Sequence, residues 1–171
     1  IIYVSGENGF IARFNGTTWA TFTITDMIQV TKLKYVGSQF YACLLMDDGA
    51  GGILYQIGTL TGTTFGQIGS DYNYVVGDVV QGGIHVSGSD VYNGGAVIGP
   101  DTTETIKCIG YNSSVNHNYF VGTINGNIFY STASPPTGTG DWELLTTSKL
   151  TVQVGGTTQD VHFKTFLNPE T

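Results

Sequence analysis

Residues 106–112 read IKCIGYN, 118–124 NYFVGTI, 126–132 GNIFYST and 141–147 DWELLTT. Each run is one strand long, rich in β-branched and aromatic residues, and set off from the next by Asn, Gly or Pro. Four such runs joined by turns make one antiparallel up-and-down unit of roughly 40 residues, too small to bury both faces alone. The sequence is therefore expected to supply neighbours of the same kind.

Composition agrees. The chain has 171 residues, of which 40% are hydrophobic and only 11% charged. That charge share is under half the usual one, so solubility must rest on Thr, Ser, Asn, Gln and Gly. With 25 Gly, 10 Tyr and 9 Phe, the balance is that of an all-β protein with many turns. The nearest candidate for a helix, residues 27–35, alternates instead of repeating at helical spacing, and no helix of consequence is expected. Six basic residues (Arg13, Lys32, Lys34, Lys107, Lys149, Lys164) are scattered through a chain of net charge −7. No basic stripe forms, which disfavours nucleic acid as a partner. No apolar run is long enough for a membrane span, and the opening IIYVSG has the character of a strand, not of a signal peptide. Cys43 and Cys108 sit inside the apolar runs FYACLLM and IKCIGY, where a thiol packs as a small hydrophobe; neither has metal-ligand spacing.

Residues 1–25 carry the same order of features as the C-terminal part of the opening unit: an apolar strand ending in Gly, an Asn-Gly turn, an aromatic strand, a Gly/Thr turn closing on Trp, and a last strand. Asn8-Gly9 and Asn125-Gly126 read as type I′ hairpin turns. Residues 28–70 give a complete set, with strands at 30–36, 40–46 and 53–57, a turn TGTTF at 61–65 and a short GQIGS. Residues 71–103 are a weaker copy, with YVVGDVV and IHVSG as strands and Val86-Ser87-Gly88 repeating Val4-Ser5-Gly6. The strand missing from 1–25 is offered by 160–166 (DVHFKTF), so one unit is expected to be split between residues 160–171 and 1–25. Trp19, Phe65 and Trp142 close the three Gly/Thr turns and are the candidate repeat-packing residues.

Units of this length with four strands match the blades of β-propellers. The closing turns resemble degenerate Asp-box (BNR, sialidase-type) repeats of pattern S-x-D-x-G-x-T-W. Gly16, Thr18 and Trp19 fit that pattern, as do Gly62, Thr64 and, with Phe for Trp, Phe65; Phe14 and Leu60 stand where the Asp belongs, and Asp141 precedes Trp142 in place of Thr. The resemblance implies an all-β, β-propeller-like fold of about four four-stranded antiparallel blades, at 160–171 plus 1–25, 28–70, 71–103 and 104–147. These would form a single domain, either a small closed ring or part of a larger one. The Gly/Thr/Asn/Tyr-rich, charge-poor style also resembles bacteriophage tail, fibre and virion-surface proteins and bacterial surface adhesins, which implies an extracellular or virion-surface location.

The Asp-box likeness raises sialidase chemistry, which uses three arginines to hold the substrate carboxylate and a Tyr/Glu nucleophile pair. Arg13 is the chain's single arginine, so this chain by itself is not expected to be a sialidase. Other glycosidases need two facing carboxylates. Glu7, Asp47, Asp48, Asp78, Asp90, Asp101, Glu104, Asp141 and Glu143 fall mostly in turns, where such residues cap their own backbone. Asp47-Asp48-Gly49 lacks the ligand alternation of a Ca²⁺ loop. His85, His117 and His162 have no nucleophile motif nearby. No enzyme activity, cofactor or metal is expected. What remains is binding, by rigid aromatic side chains with a polar tip. Tyr72, Tyr74, Tyr92, Tyr111 and Tyr119 border loops and are the candidate ligand-binding residues, although aromatics in a small β protein commonly serve as core or cross-strand pairs. The expected function is a structural or receptor-binding module whose partners are other virion or surface proteins or a host glycan, with oligomer formation open. The alternatives are a fragment of a propeller glycosidase whose catalytic residues lie elsewhere, and an oligomer-forming β-sandwich subunit.

Overall fold

A computed structural model describes residues 1–6, 9–112 and 118–145, together with the strand backbone of 151–154 and 157–160. Among these residues the chain is all-β, with two single 3₁₀ turns and no α-helix. Strands β1 (Ile2–Ser5), β2 (Ile11–Phe14) and β3 (Trp19–Phe22) form a three-stranded antiparallel sheet. Strands β4 (Met27–Val36), β5 (Gln39–Asp47), β6 (Ile53–Thr61) and β7 (Thr64–Tyr72) form a four-stranded antiparallel meander. A sheet of short strands follows, in the order β11-β10-β9-β8: β8 (Asp78–Val79), β9 (His85–Ser87), β10 (Asp90–Asn93) and β11 (Ala96–Val97). The opening stretch of the sequence analysis folds as expected into β12 (Ile106–Asn112), β13 (Asn118–Thr123), β14 (Ile128–Ser131) and β15 (Glu143–Leu144), paired in that order. This succession of up-and-down sheets is a propeller-like all-β organisation of about four blades. The chain separates into two compact units, Ile1–Gly83 and Ile84–Thr171.

Three details differ from expectation. The TGTTF turn contracts to Gly62-Thr63 alone, so β6 and β7 run to nine residues each and the short GQIGS becomes the middle of a long outer strand. The Asn125-Gly126 hairpin is not type I′, and Asn8 lies outside the described residues. Gly126 has φ 86° but Asn125 does not share the positive φ, and the backbone bonds Gly126 N to Thr123 O (3.2 Å) and Thr123 N to Asn127 O (3.0 Å) close a three-residue loop with glycine at its left-handed end. Gly9 (φ 72°) stands in the same place, three residues separating Gly6 from Phe10, whose O accepts from Gly6 N at 3.0 Å. The two-residue turn with positive φ at both positions is Gly37-Ser38 (56° and 64°), between β4 and β5. Lastly, β16 (Thr151–Val154) pairs antiparallel with β17 (Thr157–Asp160), so that Asp160 lies opposite Thr151. Residues 161–166 of the expected closing strand, with His117 and His162, lie outside the described residues.

Burial explains the apolar pattern. FYACLLM reads as a continuous apolar run because β5 is covered on both faces: Tyr41, Ala42, Cys43 and Leu44 are all buried. On one side lies the core of the first unit, with Ile11, Met27, Val30, Ala42, Leu44, Met46 and Leu60 buried and Tyr3, Phe22, Leu33, Phe40 and Phe65 packed against them. Burial is poor in β7, which is mostly exposed, as an outer strand should be. Cys43 and Cys108 are buried thiols outside any disulfide, and burial pushes the Cys43 thiol far above its ordinary value.

One row of the second sheet positions the site described below. Tyr35, Phe40, Leu60 and Phe65 are directly opposite one another across β4, β5, β6 and β7, so all four point to one face. The Phe65 ring lies over Gly58, where an added Cβ would meet the ring and stand 2.5 Å from the Gly66 carbonyl oxygen. Gly58→Ala is thus expected to destabilise the protein by about 1–3 kcal/mol, the usual range for overpacking. Thermal unfolding monitored by circular dichroism measures it, and a variant as stable as the parent would show that the ring is not held there.

Candidate functional site

The expected ligand-binding tyrosines are packed side chains. Tyr111 and Tyr119 are cross-strand partners on β12 and β13, both buried, with ring centroids 4.8 Å apart. Tyr72 is buried and lies 5.3 Å from the half-buried ring of Tyr74. Tyr92 stacks on the fully buried His85 at 5.5 Å and 14°. Burial raises the hydroxyl pKa of Tyr72, and burial with the nearby Asp90 raises that of Tyr92. The structure brings four of these five together as two pairs, sets Tyr92 against His85, and places none of them in the pocket described next.

The three closing aromatics are topologically equivalent, each at the start of the last strand of its sheet, yet their surroundings differ. Trp19 opens β3 and is 56% exposed, its ring 5.1 Å from Phe14. Phe65 is half-buried against the core of the first unit. Trp142, one residue before β15, is buried and donates its indole N–H to the Ile98 carbonyl oxygen at 2.6 Å.

Most of the described carboxylates weighed for catalysis hold loops and strands, and Glu7 lies outside the described residues. Asp48 accepts from the Ala50 and Gly52 N–H groups at 2.8 Å, and these bonds lower its pKa. Asp141 accepts from the N–H and hydroxyl of Thr137 and from the Gly138 N–H, with the same effect and for the same reason. Glu104 accepts from the Thr123 hydroxyl and from Asn127 Nδ2, pinning the β13–β14 loop. Glu143 accepts from the Tyr130 hydroxyl at 2.6 Å, which raises the tyrosine pKa. Asp78 is fully buried, its Oδ2 2.8 Å from Lys34 Nζ and its Oδ1 3.6 Å from Lys32 Nζ. Among the described residues no group of three or more His, Cys, Asp and Glu is placed to hold a metal.

A pocket of about 740 Å³ opens within the first unit, where the β1–β2 ladder meets two hairpin tips of the second sheet. In a meander alternate turns fall at the same end, so the Gly37-Ser38 turn and the Gly62-Thr63 turn are neighbours. They bring Tyr35, Ser38, Gln39, Phe40 and Thr61 to the pocket wall. The β1–β2 register supplies Tyr3 and Arg13 as direct cross-strand partners, hence on one face. Phe40 lies between two rings, 4.6 Å from Tyr3 edge-on and 4.6 Å from Tyr35. The Tyr3 hydroxyl donates to the Gly62 carbonyl oxygen at 2.8 Å, tying the first sheet to the second hairpin tip and fixing the ring as a wall. Gln39 Nε2 donates to the Leu60 carbonyl oxygen at 3.3 Å. Tyr35 is 42% exposed and presents its ring to whatever enters.

Volume and lining match the usual ligand pocket, which is mostly apolar and aromatic with a few placed polar groups. The sequence reading missed these residues because the pocket depends on which strands face each other. The available signal was the lone arginine in FIARF, an apolar strand run that begins and ends on Phe.

Together these features define an all-β, propeller-like chain with an aromatic-walled pocket in its first unit. No protein-family model matches the sequence, and no curated protein matches it. Among the described residues no helix is long and apolar enough to cross a membrane.

Proposed function

We propose that this chain is a non-enzymatic binding module of a virion, such as a phage tail or fibre, or of a cell surface, and that it takes a glycan in the pocket of the first unit. The observation that carries this reading is the convergence of Tyr3, Tyr35 and Phe40 with the polar side chains of Ser38, Gln39 and Thr61 at the hairpin tips. A sugar ring has an apolar C–H face that stacks on an aromatic ring, and a rim of hydroxyls that needs donors and acceptors at its edge. The engagement of most of the described carboxylates in loop and strand contacts supports binding without turnover. The degenerate Asp-box likeness of the closing turns supports a propeller of the sialidase-type architecture used without its chemistry.

Screening the protein against an array of neutral and acidic glycans, followed by calorimetric titration of the hits, tests the reading. Tyr35 is exposed on one side, so Tyr35→Ala should leave the fold intact and weaken a bound glycan at least tenfold. Loss of every hit, hits insensitive to Tyr35→Ala, or hydrolysis of the bound glycan would each overturn it; protein-only capture would point to the other class of partner.

A further inference from the structure

We infer that the glycan taken by this pocket is acidic, a pyranose ring bearing a carboxylate, and that Arg13 is the group that reads the carboxylate. This rests on the reading of the pocket as a glycan site and adds to it the charge of the ligand.

Arg13 is the single arginine in a chain with thirteen acidic and six basic residues. In so acidic a protein a guanidinium has every opportunity to pair. Among the described residues it does not: the ion pairs formed are those of Lys32 and Lys34 with Asp78, and Arg13 Nε is buried with no hydrogen-bond partner. A half-buried guanidinium without a partner is costly, and the cost is relieved by an anion that enters beside it. Among the described residues no carboxylate lines the pocket, so nothing in the wall competes with an incoming one. The neighbouring polar groups (Ser38, Gln39 and Thr61) are neutral.

The arginine fork selects among anions. Its parallel N–H groups match the two coplanar oxygens of a carboxylate, which a single ammonium does not. Tyr3, directly across the ladder from Arg13, has its hydroxyl committed to Gly62, so the wall beside the guanidinium offers a ring face and no further donor from that side chain. A carboxylate attached to a sugar ring fits this layout: the ring's C–H face lies against Tyr35 and Phe40 while the carboxylate reaches the guanidinium. The overall charge of −7 repels free anions at long range, so a ligand must gain its affinity inside the pocket, where both features act together.

The test compares three probes by calorimetry at low salt: a galacturonate trisaccharide, its uncharged methyl ester, and a sulfated galactose trisaccharide. Wild-type protein is expected to bind the galacturonate at least tenfold more tightly than the ester, with the difference shrinking as salt is raised. Arg13→Gln should bind acid and ester alike at the ester's affinity, and should be at least as stable as the parent because it removes an unpaired charge. Arg13→Lys should keep only part of the preference. Equal binding of acid and ester by the wild type, or a preference that survives Arg13→Gln, overturns the inference and leaves the glycan reading intact. Sulfate binding as tight as carboxylate binding overturns the carboxylate assignment. If none of the three probes binds while the array yields a glycan whose binding Tyr35→Ala abolishes, the inference falls and the pocket reading stands; if the array also yields nothing, both fall.

Discussion

Replacing Trp142 by alanine is expected to cost about 3–5 kcal/mol, the range for truncating a large buried aromatic. Trp142 is 8% exposed, and its indole N–H bonds the Ile98 carbonyl oxygen across 44 residues of sequence, tying the segment before β15 to the chain that follows β11. Ile98 is itself buried, so the carbonyl has no water to fall back on when the indole is removed. Trp142→Phe separates the two contributions. It keeps most of the buried ring and loses the donor, for an expected cost of about 1–3 kcal/mol, that of one unsatisfied buried acceptor. Trp19→Ala is the contrast: with half of its surface in water and one ring contact, it should cost no more than about 1 kcal/mol. Urea unfolding of the three variants measures the series. Equal losses at Trp19 and Trp142 would mean that both are held by a neighbouring sheet in the same way.

The second large effect is at Asp78. Its carboxylate has no exposed surface and faces Lys34 at 2.8 Å and Lys32 at 3.6 Å, while Oδ1 also accepts from the Val79 N–H at 2.9 Å. Lys34 is nearly buried as well, with 9% of its side chain exposed. Asp78→Ala leaves that ammonium without its closest carboxylate in a low-dielectric setting, and such broken buried pairs cost about 3–5 kcal/mol. For a chain of this length the melting temperature should fall by roughly 6–20 °C. Removing both charges, as in Lys34→Met with Asp78→Leu, should restore most of the loss, because the desolvation penalty of the pair disappears with it. A double variant as unstable as Asp78→Ala would show that packing around the aspartate, not its charge, is what matters.

The strand order of β12 to β15 was legible because turn-forming residues punctuate the runs: Asn112 ends β12, and Gly126 and the Pro135-Pro136 pair fall outside the strands. The burial of β5 was legible from FYACLLM for the same physical reason, an unbroken apolar run. Strand ends were less so. The expected third strand stopped at residue 57 and GQIGS was a short segment, yet β6 and β7 run through Gly58, Gly66 and Gly69, because a long ladder and the Phe65 ring over Gly58 outweigh the weak preference of glycine against strands. The pairing of β16 with β17 was legible in the runs TVQV and TTQD, which the sequence reading passed over as strands.

The pocket was hidden by one residue of register. A two-residue turn at Asn8-Gly9 would set Arg13 opposite Val4. The register actually present sets it opposite Tyr3, on the face that meets Phe40. Because side chains alternate along a strand, that single step decides what the arginine faces. Tyr35 and Phe40 were in plain view as strand residues. What made them a wall was their pairing across the Gly37-Ser38 turn, whose two positive φ values close the tip and set the rings 4.6 Å apart.

Amide chemical-shift mapping of the isotopically labelled protein with the galacturonate trisaccharide is the most direct test of the site. Shifts concentrated at Tyr3, Arg13, Tyr35, Gln39, Phe40 and Thr61, and absent from Tyr72, Tyr92, Tyr111 and Tyr119, are the predicted result. Shifts centred on those latter tyrosines, or spread without focus over both units, would contradict it.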